Sequence, residues 1–385
     1  MTPTVRLPAP DGSAAPYSFT GRTPPPPPDG PARSRVAYAA AHVVADPLAD
    51  NTPGRPARLD WDATLAFRHH VWRHGLGVAD AMDTAQRGMG LDWPATRELI
   101  RRVGAEPGRG PLVCGAGTDQ LPARVERLDD VAAAYLEQCE VVEDAGATVV
   151  LMASRQLAAL AHGPEDYAAV YGKVLRQLSR PALLHWLGPV FDPALAGYWG
   201  SADLDAATDS VLGIVGEHAD RVDGVKVSLL DAGRETAFRR RLPAGVRCYT
   251  GDDFGYPALI RGDEQGASDA LLGIFDPIAP VAAAALHALD TGDAPAYDRL
   301  FAPTVPLSRH LFGEPTFHYK TGIVFLAWLA GHQEHFTMVG GMQSARSVPH
   351  LAQAAVLADR AGLLPDAELA AARLRAFLTV AGVDA

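Results

Sequence analysis

The sequence predicts an α/β protein built around a closed (β/α)8 TIM barrel. Three observations predict it. Short apolar runs rich in β-branched residues alternate with longer runs of helical period. Eight such units fall within about 250 residues, the usual span of a closed parallel barrel. The rival, an open doubly wound sheet, lacks its fingerprint: GAGTDQ at Gly115–Gln120 has no third glycine.

The elements follow in order. VRLPAPDGSAAPYSF predicts two short strands around an Asp-Gly turn, and TPPPPPDGPARS (Thr23–Ser34) a stiff polyproline connector. Residues 1–34 are therefore expected to form a hairpin and Pro-rich arm. The barrel is expected over 35–292, with strands at Val36–Val43, Leu76–Met82, Leu112–Gly115, Ala147–Ala153, Ala182–Leu187, Gly224–Leu229, Val246–Thr250 and Ala270–Phe275. Between them fall helices at Asp62–His74, Trp93–Val103, Leu128–Ala145, Pro164–Leu178, Asp205–Ala219 and Pro280–Leu289. Residues 293–385 keep helical period without good strands, which predicts a C-terminal helical extension.

Composition narrows the function classes. The chain has 385 residues, 48% hydrophobic and 21% charged, with a net charge of -11. That balance disfavours nucleic acid and anionic membrane as partners. No apolar run reaches the length of a membrane span, and GIVFLAWLAG reads as a buried helix. The N-terminal residues lack a signal-peptide core. Cys114, Cys139 and Cys248 form no CxxC pair and read as buried thiols of a reducing, cytoplasmic setting.

One residue type is used sparingly. Of 34 Lys plus Arg only Lys173, Lys226 and Lys320 are lysines. Lys226 lies inside the apolar run VDGVKVSLLD. Alternation turns Val225, Val227 and Leu229 toward the helices, and Gly224, Lys226 and Ser228 into the barrel. Burial disfavours the charged form of an amine, and a neutral amine attacks carbonyls as arginine cannot. The alternative is an ammonium reaching a buried carboxylate.

GVKVS, followed about one β/α unit later by TGDD in CYTGDDF (Cys248–Phe254), resembles strand signatures of the dihydrodipicolinate synthase / N-acetylneuraminate lyase superfamily of class I aldolases. The chain is similar to a distant branch of it rather than to any named enzyme. The resemblance implies a (β/α)8 barrel with a helical tail, a Schiff base on Lys226, no external cofactor and a homo-oligomer. Further positions carry over one by one. MDTAQ (Met82–Gln86) stands at the family's Gly-Thr-Thr-Gly-Glu turn, so Thr84 matches the relay threonine and Asp83 replaces the first threonine. CGAGT brings Gly115 and Thr118 to the strand-3 glycine motif. His185 in LLHWLG falls on the proton-shuttling tyrosine, and imidazole chemistry suits a shuttle near neutral pH. GPVFDP has no counterpart to the family's carboxylate-holding arginine. Asp83 would repel a carboxylate, which favours a polyhydroxylated carbonyl compound over pyruvate.

The expected site is thus Lys226, His185 and Thr84 for catalysis. Asp83, His42, Gly115, Thr118, Thr250, Gly251, Asp252 and Asp253 are expected to bind substrate. Loop and helix-cap duty is the other role open to Asp83, Asp252 and Asp253. The substrate class is a small oxo acid or sugar-derived carbonyl compound. Two other functions are compatible with the residues. One is a metal-dependent barrel enzyme using His42, Asp83, His185 and Asp252, although no HxH or HExxH spacing supports it. The other is a non-catalytic carbonyl-binding protein. His69, His70 and His74 are expected on an outer surface, and His332 and His335 of GHQEHF on a tail helix. His318, Tyr319 and Lys320 are placed to help close the barrel mouth.

Overall fold

A computed structural model describes residues 3–8 and 13–383. Its centre is a closed barrel of eight parallel strands: β3 (Ala37–Ala40), β4 (Gly77–Asp80), β5 (Leu112–Ala116), β6 (Thr148–Leu151), β7 (Ala182–Leu187), β8 (Val222–Ser228), β9 (Arg247–Thr250) and β10 (Asp269–Leu272), with β10 closing on β3. The strands β1 (Thr4–Pro8) and β2 (Ala14–Ser18) form the expected antiparallel hairpin. The Asp-Gly turn expected between them lies outside the described residues.

Alternation decides what fills the barrel. Ala40, Ala79, Val113, Val150, Leu183, Tyr249 and Leu271 form an inner cluster. Their sequence neighbours Val78, Leu112, Val149 and Leu184, and Val225 and Val227 on either side of Lys226, belong to the outer core under the helices instead. The first strand is shorter than expected because the His42 amide donates to the Asp276 carboxylate (2.8 Å) and not to a neighbouring strand.

The helix Leu128–Asp144 shows why the helical layer forms. Asp129 and Asp130 occupy its first turn, and Val131, Tyr135, Gln138, Cys139 and Val142 make one buried face. After β10 come the helices Ala279–Asp290, Ala294–Phe301, Thr304–Leu311, Tyr319–Leu329, Val348–Arg360 and Ala367–Val380. Tyr319–Leu329 is buried along its length except at Trp328. Among the described residues no helix is long and apolar enough to cross a membrane.

The N-terminal arm is tied at its hairpin end to the C-terminal helix Val348–Arg360 and at its far end to the helix Ala279–Asp290 that follows β10. Tyr17 Oη (2.8 Å) and the Thr20 amide (3.0 Å) donate to Asp359. Further on, the amides of Arg33 and Ser34 both donate to Asp290 at 2.7 Å.

Two histidine expectations are corrected. His70 and His74 are drawn inward, with ring centroids 4.3 Å from His70 to His332 and 4.9 Å from His70 to His74. The GHQEHF stretch lies beyond the helix Tyr319–Leu329 and is a turn, not a tail helix.

Candidate active site

The site is built where β4, β8 and β9 end. β8 carries Lys226 inward, opposite His185 on β7 and Tyr249 on β9. Lys226 is 7% exposed. Among the described residues its amine makes no hydrogen bond and has no carboxylate within 4.0 Å. Burial lowers its pKa, against the opposing charges of Asp83 and Asp253. The amine is therefore not committed to an ion pair.

The stem of Lys226 explains Gly251. A Cβ there would come 2.9 Å from Lys226 Cε and closer still to Ser228 Oγ. Gly115 has a packing role of the same kind, since a Cβ would lie 2.5 Å from the Ala81 carbonyl and the Met152 sulfur.

The loop after β4 is held in a strained form. Ala81 (φ 53°) and Gln86 (φ 66°) are left-handed non-glycine residues on either side of the 3-10 turn Asp83–Ala85. Such conformations cost about 1–2 kcal/mol each and persist where surroundings enforce them. Here Arg87 holds the carbonyls of Ala81 (3.2 Å) and Gly115 (3.1 Å), and Gln86 holds those of Met89 (3.1 Å) and Val339 (2.9 Å). Leu230, just beyond β8, is likewise left-handed at φ 56°.

This turn presents Asp83 and Thr84. Thr84 Oγ1 lies 2.9 Å from Tyr319 Oη. Tyr319 begins a C-terminal helix and stacks on Phe312 at 4.3 Å between centroids. Burial first, then the charge of Asp83, pushes its phenol well above the usual range. Sequence reasoning placed Tyr319 only as a closing residue; its bond to Thr84 joins positions 235 residues apart.

His185 is placed as expected but cannot titrate as expected. It is fully buried, and burial together with the nearby Lys226 charge holds its pKa well below the ordinary histidine value. Its ring is a neutral imidazole with Nε2 3.1 Å from Ser228 Oγ and Nδ1 unpartnered. Asp253 also joins the site. Its carboxylate accepts from the Ile274 amide (2.9 Å), and burial pushes its pKa up to about 7.

Three expected substrate contacts are corrected. Tyr249 faces inward, so Thr250 faces outward, and its hydroxyl donates to Glu235 (2.9 Å) in the helix layer. Asp252 has the same outward parity and caps its own loop, accepting from Phe254 (2.8 Å) and Gly255 (2.9 Å). His42 is bonded through Nδ1 to Asp276 (2.8 Å) and through Nε2 to Gln333 (3.2 Å), beneath the C-terminal segment. The rim quartet His42, Asp83, His185 and Asp252 is thus not assembled. Among the described residues no group of three or more His, Cys, Asp or Glu is arranged to hold a metal ion.

Above these groups lies a cavity of about 900 Å³. Asp83, Thr118, Met152, Phe191 and Lys320 are among its walls. Thr118 Oγ1 is committed to Ser154 (2.7 Å) and Gln156 (2.8 Å). Lys226 is not among the lining residues; Asp83 lines the cavity and also acts by its charge on the buried amine.

Comparison with known proteins gives three results. The family model described as protein of unknown function (DUF993) matches residues 5–383. No curated protein sequence matches. Solved structures of the dihydrodipicolinate synthase family share the fold, as the sequence resemblance implied. The E. coli K12 prophage protein YagE, of the dihydrodipicolinic acid synthase family and solved in complex with pyruvate, aligns with a TM-score of 0.66 at 14% identity, covering 86% of this chain and 99% of its own. Dihydrodipicolinate synthase from Aquifex aeolicus gives 0.64 at 13% identity, covering 86% and 99%. That from Bacillus clausii gives 0.62 at 15%, covering 84% and 97%.

Proposed function

The chain belongs to the DUF993 family, and from that premise and its barrel we propose that it is a Schiff-base-forming lyase or aldolase of the class I type. The observation that carries this proposal is the buried Lys226 amine, unpaired among the described residues. A neutral amine at the C-terminal end of a barrel strand is positioned to attack a carbonyl carbon. The carbonyl oxygen leaves as water, and a protonated imine remains on Lys226. Asp253, with its raised pKa, is suited to exchange the protons of that dehydration.

The imine then acts as an electron sink. In an aldol cleavage a β-hydroxyl loses its proton, the adjacent carbon–carbon bond breaks, and its electron pair enters the enamine. In a dehydratase variant the α-carbon loses a proton to give the enamine, whose electron pair then expels the β-hydroxyl, which takes up a proton and leaves as water. The Thr84–Tyr319 pair is suited to move the proton, with neutral His185 as a hydrogen-bonding partner beside the imine. Protonation of the enamine and hydrolysis of the imine regenerate Lys226. No external cofactor enters these steps.

Asp83 shapes the choice of substrate. Among the described residues its carboxylate accepts no hydrogen bond, so it is available to hydroxyl donors and opposes a carboxylate at that position. Pyruvate, bound by the E. coli relative, fits this chain less well than a sugar-derived carbonyl compound.

Borohydride trapping with a panel of oxo acids and oxidised sugars tests the proposal. A stable adduct mapped to the Lys226 peptide is expected. Unmodified Lys226 under turnover of a verified substrate contradicts it. The expected homo-oligomer is checked by light scattering, where a monomer at micromolar concentration counts against it.

A further inference from the structure

The cavity walls carry several charges, and most are already neutralised. Arg55 pairs with Asp50 (2.9 Å), Arg87 with Asp119, and Arg155 with Asp192 (2.6 Å). Asp92 caps a helix through the Ala95 amide (2.9 Å). Asp83 and Lys320 are left. Among the described residues Lys320 has no carboxylate within 4.0 Å, although it is only 5% exposed. Its amine donates to the Phe317 carbonyl (3.1 Å) and to the Met89 sulfur (3.2 Å). The ammonium also lies over the Tyr319 ring, 5.0 Å from its centroid, but ring, thioether and carbonyl are all uncharged, so among the described residues no anion is bonded to it.

We propose that Lys320 binds the anionic end of the substrate, which makes the substrate a hydroxylated carbonyl compound carrying a carboxylate or a phosphate. This rests on the Schiff-base function above and adds the residue that selects among its substrates. Three observations agree with it. Lys320 lines the same cavity as Asp83. At about 900 Å³ the cavity is near the upper end of small-molecule sites, roughly 300–1,000 Å³, and far exceeds a three-carbon acid. Lys320 is also the one cation of the cavity lining without an ion pair among the described residues, so an anionic group of the substrate finds no competing carboxylate bonded to it. The groups facing Lys320 are Asp83, Arg155 and Asp192, with His318 nearby. Burial brings its pKa down to about 8.

The test uses three polyols that have no carbonyl and so cannot form an imine: gluconate, glucitol 6-phosphate and neutral glucitol. Calorimetry on the whole protein should show at least one anionic polyol binding about tenfold or more tighter than glucitol. Whether gluconate or glucitol 6-phosphate wins identifies the carboxylate or the phosphate. Lys320→Gln should abolish the preference, and Lys320→Arg should keep part of it. On the unaltered protein the preference should fade between about pH 7 and about pH 9.5 as the amine loses its proton. No anion preference in the unaltered protein, or an undiminished one in folded Lys320→Gln, overturns the proposal. If that variant does not fold, a preference unchanged across the pH range overturns it. Failure of trapping at Lys226 with the anion preference intact removes the Schiff-base function and not the anion site.

Discussion

Two buried cations sit on opposite sides of the barrel, at β4 and at β8, and are treated in opposite ways. Arg68 lies in the helix layer, fully buried, and its guanidinium grips both oxygens of Asp80 at 2.8 and 3.0 Å. Its remaining donors go to the carbonyls of His42 and Thr64. Lys226 lies inside the barrel with no such partner among the described residues. Arg68 is a charge fully answered by its surroundings, and it joins the first helix to β4. Lys226 is an amine held out of water with its lone pair within reach of neutrality. In a chain that uses arginine for nearly every cation, the proposed chemistry gives a reason for lysine at position 226, since an amine can give up its proton where a guanidinium cannot.

The comparison breaks first on Lys226→Arg. The guanidinium keeps the charge and cannot form the imine. Turnover is expected to fall by about 10⁴-fold or more, on the order of 5.5 kcal/mol, with trapping abolished and the fold retained. A folded variant keeping about a tenth of the activity would show that only the charge matters.

Stability sharpens the same contrast. Arg68→Met leaves Asp80 buried with the Ala81 amide (2.7 Å) but no counter-ion, and should cost about 3–5 kcal/mol in denaturant unfolding. Lys226→Met removes an unpaired buried amine and should leave stability equal or higher. Equal losses in the two variants would place both cations in the same structural role.

Tyr319→Phe removes one hydroxyl from the Thr84 pair. Activity should drop by about 10²–10³-fold while borohydride still traps the imine at Lys226. Loss of trapping together with turnover would instead mean that Tyr319 shapes the site around the amine.

A further effect, on stability against pH, concerns Glu235, which burial pushes up to about 8 although Ser268 and Thr250 donate to it. The folded state keeps its proton where the unfolded chain, at about 4.3, has lost it. Its stabilising contribution is therefore full below about pH 4.3 and is lost as pH rises toward about 8, by up to roughly 1.4 kcal/mol per unit. Glu235→Gln should flatten that part of the stability profile. An identical profile in the variant would contradict it.

The sequence carried the fold in the centres of its strands, where β-branched runs are dense, and lost it at their ends. Lys226 was legible because its residue type is rare here and alternation aims it inward. The same alternation excludes Thr250 and Asp252, whose neighbours Tyr249, Gly251 and Asp253 take the inward positions. Reading TGDD as one motif hid that parity. His42 and Tyr319 were not legible in the same way. Their partners Asp276, Gln333 and Thr84 lie 234, 291 and 235 residues away; closure of β10 onto β3 brings Asp276 to His42, and the C-terminal segment brings Gln333 to His42 and Tyr319 to Thr84. No local pattern encodes such a contact.

With only three lysines in the chain, the charge state of each can be followed separately. Protein labelled at the lysine amines, titrated by NMR with each signal assigned by a Lys→Arg variant, reads Lys226 directly. The account predicts that the Lys226 signal titrates clearly below the ordinary lysine value of about 10.4. A Lys226 amine that stays protonated up to that value or beyond would contradict it.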